Sequence, residues 1–104
     1  MKILVLSNFY PPEVVGGYEL ACAQAVEALR RVGHEVLVLT AAARGYAGPE
    51  PHVRRAFSIT DIWNLESMAR RPAVAQRLMD AESRLINAFN VRALAEAVDA
   101  FRPD

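Results

Sequence analysis

The residues from Ser7 to Gly17 hold most of the chemistry that can be read from the chain. They include Asn8, Tyr10, Pro11-Pro12 and Gly16-Gly17, with Tyr18 and Glu19 directly after. The glycine pair stands where helical periodicity begins. Such a pair permits positive φ and lets a bulky ligand group come close to the backbone. The first N–H groups of a helix lack intrahelical partners and carry the positive end of its dipole. A phosphate or diphosphate is the ligand that suits such a site. A plain turn, whose glycines only meet a geometric need, accounts for the same residues. Pro11-Pro12 fixes two φ angles and predicts an extended path out of the preceding strand. Glu19 suits the first turn of a helix but would repel an anion. Its carboxylate is therefore expected to turn away from a phosphate or to meet a hydroxyl.

Two strands and a helix must position this loop. Ile3-Leu4-Val5-Leu6 does not alternate apolar with polar. The stretch Lys2 to Leu6 therefore predicts a strand covered on both faces, as in a parallel sheet. Ligands of open α/β sheets bind in the crevice beyond the carboxyl ends of such strands. From about Tyr18 to Val32, Cys22, Val26 and Leu29 recur at helical spacing, with Ala21, Ala25 and Val32 beside them. Arg30-Arg31 suit the helix end, and Gly33 suits the position just past it. Glu35 then leads into Val36-Leu37-Val38-Leu39, a second strand. Strand, helix and strand make a βαβ unit.

The rest of the chain is less regular. Ala41 to Pro51, rich in Ala, Gly and Pro, predicts a loop. Arg44, Tyr46 and His52 lie in or near it and are expected to be ordinary exposed residues. Residues 52 to 59 alternate, which predicts a strand near the sheet edge. A short helix is expected from Thr60 or Asp61 to Met68, with Trp63 as a packing anchor. Pro72 suits the first turn of a longer helix. Val74, Leu78, Leu85 and Phe89 give that helix an apolar stripe. Asn90 either continues it or caps a new one, whose stripe is Leu94, Val98 and Phe101.

Composition bounds the function. The chain has 104 residues, enough for one small domain, and is 53% hydrophobic, enough for a core. Its 12 basic and 12 acidic residues cancel, which argues against a nucleic-acid or anionic-membrane surface. Arg30-Arg31, Arg54-Arg55 and Arg70-Arg71 are expected on solvated faces. Cys22 is the single cysteine, so no internal disulfide or thiolate metal site can form. It falls on the buried stripe of the first helix and is expected to be structural. No apolar run approaches the roughly 20 residues that span a bilayer. The amino terminus lacks a secretory h-region, and a cytoplasmic protein is expected.

The matching residues Met1-Lys2-Ile3-Leu4, Ser7, Tyr10-Pro11-Pro12, Gly16-Gly17, Glu19, Ala28-Leu29, Gly33-His34-Glu35-Val36 and Leu39-Thr40 point to a family. Together they resemble the amino-terminal domain of GT-B glycosyltransferases of the family 4 type. Asn90, Leu94 and Phe101-Arg102-Pro103-Asp104 resemble the helix and turn that precede that domain's next strand. Ala41 to Phe89 matches in layout alone.

The resemblance implies a Rossmann-like partial parallel sheet of about three strands with flanking helices. Residues 1–104 would form a single, incomplete acceptor-side domain. The implied substrate is a nucleoside diphosphate sugar, with no cofactor or metal, and the implied outcome is retention at the anomeric carbon. The Gly16-Gly17 backbone would face the donor diphosphate. Asn8, Tyr10, Tyr18 and Glu19 would border the acceptor cleft. Nothing marks a general base: neither His34 nor His52 has a claim. Membrane-peripheral work stays open, since many such enzymes use lipid-linked or surface acceptors. Exposed edges of a partial sheet predict pairing with a second copy. The competing readings are a non-enzymatic module holding a nucleotide or sugar phosphate, and another doubly wound domain. G-x-G-x-x-G after the first strand and a Gly-Lys-Ser/Thr P-loop are both missing.

Overall fold

The computed structural model describes residues 1–14, 16–41, 50–58 and 72–104, the side chains of Gln76 and Met79 excepted. The helix expected between Thr60 and Met68, Trp63, Ile59, Arg70-Arg71 and most of the loop expected after Ala41, with Arg44 and Tyr46, lie outside the described residues.

The elements run β1 (Lys2–Leu6), α1 (Gly17–Arg31), β2 (Glu35–Ala41), β3 (Val53–Phe57) and α2 (Ala73–Phe101). The three strands form one parallel sheet in the order β1-β2-β3. This is an α/β fold consistent with a Rossmann-like fragment. Lys2 pairs with Glu35 and Leu6 with Leu39. Val38 pairs with Val53, and the β2–β3 register shifts between Thr40 and Ala41.

The central strand explains the apolar runs. Val36 through Ala41 are all buried. Tyr10, Val26, Val36 and Val38 form the core on the α1 side, with Ile3, Val5, Cys22, Ala23, Leu29 and Val53 packed around them. The alternate residues Leu37 and Leu39 are buried as well, on the opposite face. α2 packs against all three strands. β1 departs from its expected coverage. Ile3, Leu4 and Val5 are half-buried and Leu6 is 48% exposed. Its composition is that of an interior strand, but its place among the described strands is an edge.

α1 starts and stops where its residues demand. Gly33 has φ +96, and its N–H donates to the Arg30 carbonyl while that of His34 donates to Leu29. This pair of bonds closes the helix in a Schellman turn. Glu27 supports the last turns with ion pairs to Arg30 at 3.3 Å and Arg31 at 3.8 Å.

α2 is one helix, so Asn90 continues it and Pro72 is its N-cap. Asn90 has a reason to stand inside a helix. Its Oδ1 accepts the Ser58 N–H at 2.9 Å and its Nδ2 donates to the Ser58 carbonyl at 2.7 Å. The amide side chain thus satisfies the backbone just past β3 as a neighbouring strand would. The expected stripe behaves differently. Val74, Leu78, Leu85 and Phe89 are all more than half exposed, whereas Ile86, Asn90, Leu94 and Phe101 are half-buried and Ala97 is buried. Helical spacing is right for Val74 to Phe89, but the side that meets the sheet is the next one round.

The chain end returns to β1. Arg102, at φ 51, ends α2 in the left-handed region, and Pro103 follows. Asp104 then donates its N–H to the Lys2 carbonyl, and its carboxylate accepts the Lys2 N–H at 2.8 Å. Lys2 Nζ donates to the Phe101 carbonyl at 2.9 Å, on an orphan acceptor of the helix end.

Candidate functional site

The loop leaves β1 alongside the end of β2. Ser7 is buried; its N–H donates to the Leu39 carbonyl, and its hydroxyl donates to the Phe9 carbonyl. Asn8 is exposed, and its carbonyl accepts the Ala41 N–H. The chain then turns instead of running extended. The Glu13 N–H donates to the Tyr10 carbonyl at 3.1 Å, closing a turn around the cis Pro11-Pro12 peptide.

Tyr10 is held twice. The residue is 6% exposed, clustered with Val26 and Val38 in the α1-side core. Burial raises its phenol pKa, helped by Cys22, Glu27 and Glu50. Its main chain stays in the loop, where Arg55 reaches it from β3. Arg55 Nη2 donates to the Pro11 carbonyl at 2.7 Å and Nη1 to the Tyr10 carbonyl at 3.4 Å.

The glycine pair is open. Gly16 is extended, at φ −158, and Gly17 is the first helical residue. Among the described glycines only Gly33 has positive φ. A Cβ built on Gly16 or Gly17 meets nothing within 4 Å. Among the described residues nothing stands in the way of an alanine at either position, and the positive φ that the pair would permit is unused. Tyr18 projects beside them, 66% exposed.

Glu19 turns its Oε2 back onto the helix start. That atom accepts the Gly16 N–H at 2.9 Å, and the residue is buried. This is the Glu half of a capping box, with Glu19 at N3. Of the expected site residues, Asn8, Gly16, Gly17 and Tyr18 are exposed at or near the carboxyl end of the sheet. Tyr10 and Glu19 are buried supports of the same loop.

The chain is 46% identical over 50 residues to a Methanocaldococcus jannaschii protein named as an uncharacterized glycosyltransferase. The match takes in 48% of this chain and 12% of that relative's length. No family model matches the chain, and no solved structure does.

Two features near the site went unread in the sequence. Arg54-Arg55 looked like a solvated pair, yet only Arg54 is exposed. The clue was the alternation that puts Arg55 on the same face as Val53. The second is a cluster at the start of β3. His52 Nε2 lies 3.5 Å from Arg30 Nη1. Burial, then the Arg30 charge, lowers the His52 pKa. No periodicity links residues 30 and 52; only the fold joins them. His34 lies at the other end of α1 from the loop, with Nδ1 3.1 Å from the amino terminus. Among the described residues there is also an open apolar hollow on α2, lined by Ser58, Glu82, Leu85, Ile86 and Phe89 and by none of the loop residues.

Proposed function

We propose that this chain is the acceptor-side part of a GT-B glycosyltransferase of the family 4 type. In this reading it takes a nucleoside diphosphate sugar as donor, and the Gly16 and Gly17 main chain faces the donor diphosphate. The observation that carries the reading is the open glycine pair. Among the described residues nothing crowds a side chain at either position, and both sit at the start of a helix beyond a parallel strand. A ligand that must approach the backbone closely gives the pair a reason to be glycine. The relative named as a glycosyltransferase supports the activity class.

The chemistry follows from charge. The bond from the anomeric carbon to a diphosphate oxygen breaks, and one to an acceptor oxygen forms. Negative charge collects on the leaving diphosphate. Fixed N–H dipoles aimed at it stabilise the transition state more than the ground state. Asn8 and Tyr18 border the acceptor side, Tyr10 fixes the loop through its buried ring, and Glu19 fixes the first helical turn. Retention at the anomeric carbon belongs to the same proposal. So does pairing of two copies through the sheet edges, since β1 and β3 are the outer strands among those described.

Titration of uridine diphosphate into the wild-type chain and into Gly17→Val tests the reading. Weaker binding by the variant, with its circular dichroism unchanged, is the expected result. Equal and measurable binding by the two proteins would count against it.

A further inference from the structure

Arg55 joins two parts of the chain that are far apart in sequence. It stands on β3 opposite Thr40, two residues beyond Val53, which packs into the α1-side core. From there its guanidinium spans the carbonyls of Tyr10 and Pro11, at 3.4 Å and 2.7 Å. The Tyr10 carbonyl also accepts the Glu13 N–H that closes the turn. The bond that shapes the loop and the bond that ties it to β3 therefore meet on one oxygen.

We infer that Arg55 is a positioning residue, a clamp that holds the 10–13 turn against β3 and so sets where the chain enters Gly16 and α1. A planar fork is suited to this task. Two donors in fixed geometry hold two carbonyls at once. A lysine ammonium is a point donor on a flexible stem and holds one carbonyl well at most. Sites that must present groups within a fraction of an ångström need such supporting bonds. Tyr10 anchors the same turn from below with its buried ring. The two residues thus fix the 10–13 turn from two directions.

The clamp is a property of the fold; its bearing on nucleotide binding rests on the proposed function. Amide hydrogen exchange separates the two. In Arg55→Met, the Glu13 amide is expected to exchange about tenfold faster or more, the size that follows from losing a hydrogen bond to a charged donor. Val38 and Leu39, in the core of β2, should keep wild-type protection. Arg55→Lys should fall between the two. Wild-type protection at Glu13 in Arg55→Met would overturn the clamp. So would a loss shared equally by Glu13, Val38 and Leu39, because Arg55 would then serve general stability alone. Uridine diphosphate titration of the same variants tests the other half. A loosened loop with unweakened binding would leave the clamp standing and remove its link to the diphosphate site.

Discussion

Glu19 Oε2 accepts the N–H of Gly16 at 2.9 Å, so a carboxylate caps the helix start that is proposed to receive an anion. The two roles compete for one amide. Glu19→Gln keeps an acceptor there and removes the negative charge. It should bind pyrophosphate or uridine diphosphate more tightly than wild type, with the gain shrinking as salt is added. Glu19→Ala should cost about 1 kcal/mol of stability through the lost cap. Calorimetric titration and urea denaturation read the two effects. Weaker anion binding by Glu19→Gln would contradict the competition.

The Asn90 amide and the Ser58 backbone exchange two hydrogen bonds, which tie α2 to the end of β3. Asn90→Leu removes both and should cost roughly 1–3 kcal/mol. Asn90→Asp retains the acceptor, loses the donor and should fall between. Denaturant midpoints of the three proteins check this ordering. A leucine variant as stable as wild type would show that the pair adds nothing net.

His52 sets a pH limit. Unfolded, it takes a proton near the ordinary value of 6.5; folded, it does so at lower pH, because burial and then Arg30 oppose the charge. Between those values protonation favours the unfolded chain. The contribution of His52 is whole above 6.5 and is lost as the pH falls through the folded value. Thermal unfolding followed between pH 7.5 and 5, about one unit or more either side of the ordinary histidine value, should show a decline that His52→Gln reduces. An equal decline in the variant would assign it to other groups.

These residues also show how far the chain could be read in advance. The βαβ unit was legible because burial on both faces leaves an unbroken apolar run in β2, and Gly33 marks a helix end that needs positive φ. The loop was legible as a glycine-bearing turn at the exit of β1. Long-range contacts were not. The spacing of Arg54 and Arg55 says which faces they occupy, but nothing local says that Tyr10 and Pro11 lie within reach of Arg55. Asn90 read as a break or a continuation, because its partner Ser58 is 32 residues away. The stripe through Val74 and Leu85 has helical spacing, but periodicity does not say which apolar face meets the sheet. Glu19 was rightly read as suiting the first turn of α1. Its carboxylate was expected to turn away from a phosphate or to meet a hydroxyl, and nothing local said that capping-box geometry would set it on the Gly16 N–H.

Gly17→Ala separates folding from binding at one position. The added methyl group meets nothing within 4 Å, and Gly17 is helical. Alanine should leave stability unchanged or raise it by up to about 1 kcal/mol. It should weaken diphosphate binding, since the methyl group occupies the space that the ligand needs. A destabilised variant would show that the fold itself requires this glycine.

The most direct measurement places the ligand on the backbone. Amide chemical shifts of the labelled chain, followed during titration with uridine diphosphate to millimolar concentration, report where the diphosphate sits. The proposed diphosphate site puts the largest shifts at Gly16, Gly17 and Tyr18, reduced in Gly17→Val. Shifts centred elsewhere on the sheet, or none at these three amides while others move, would contradict it.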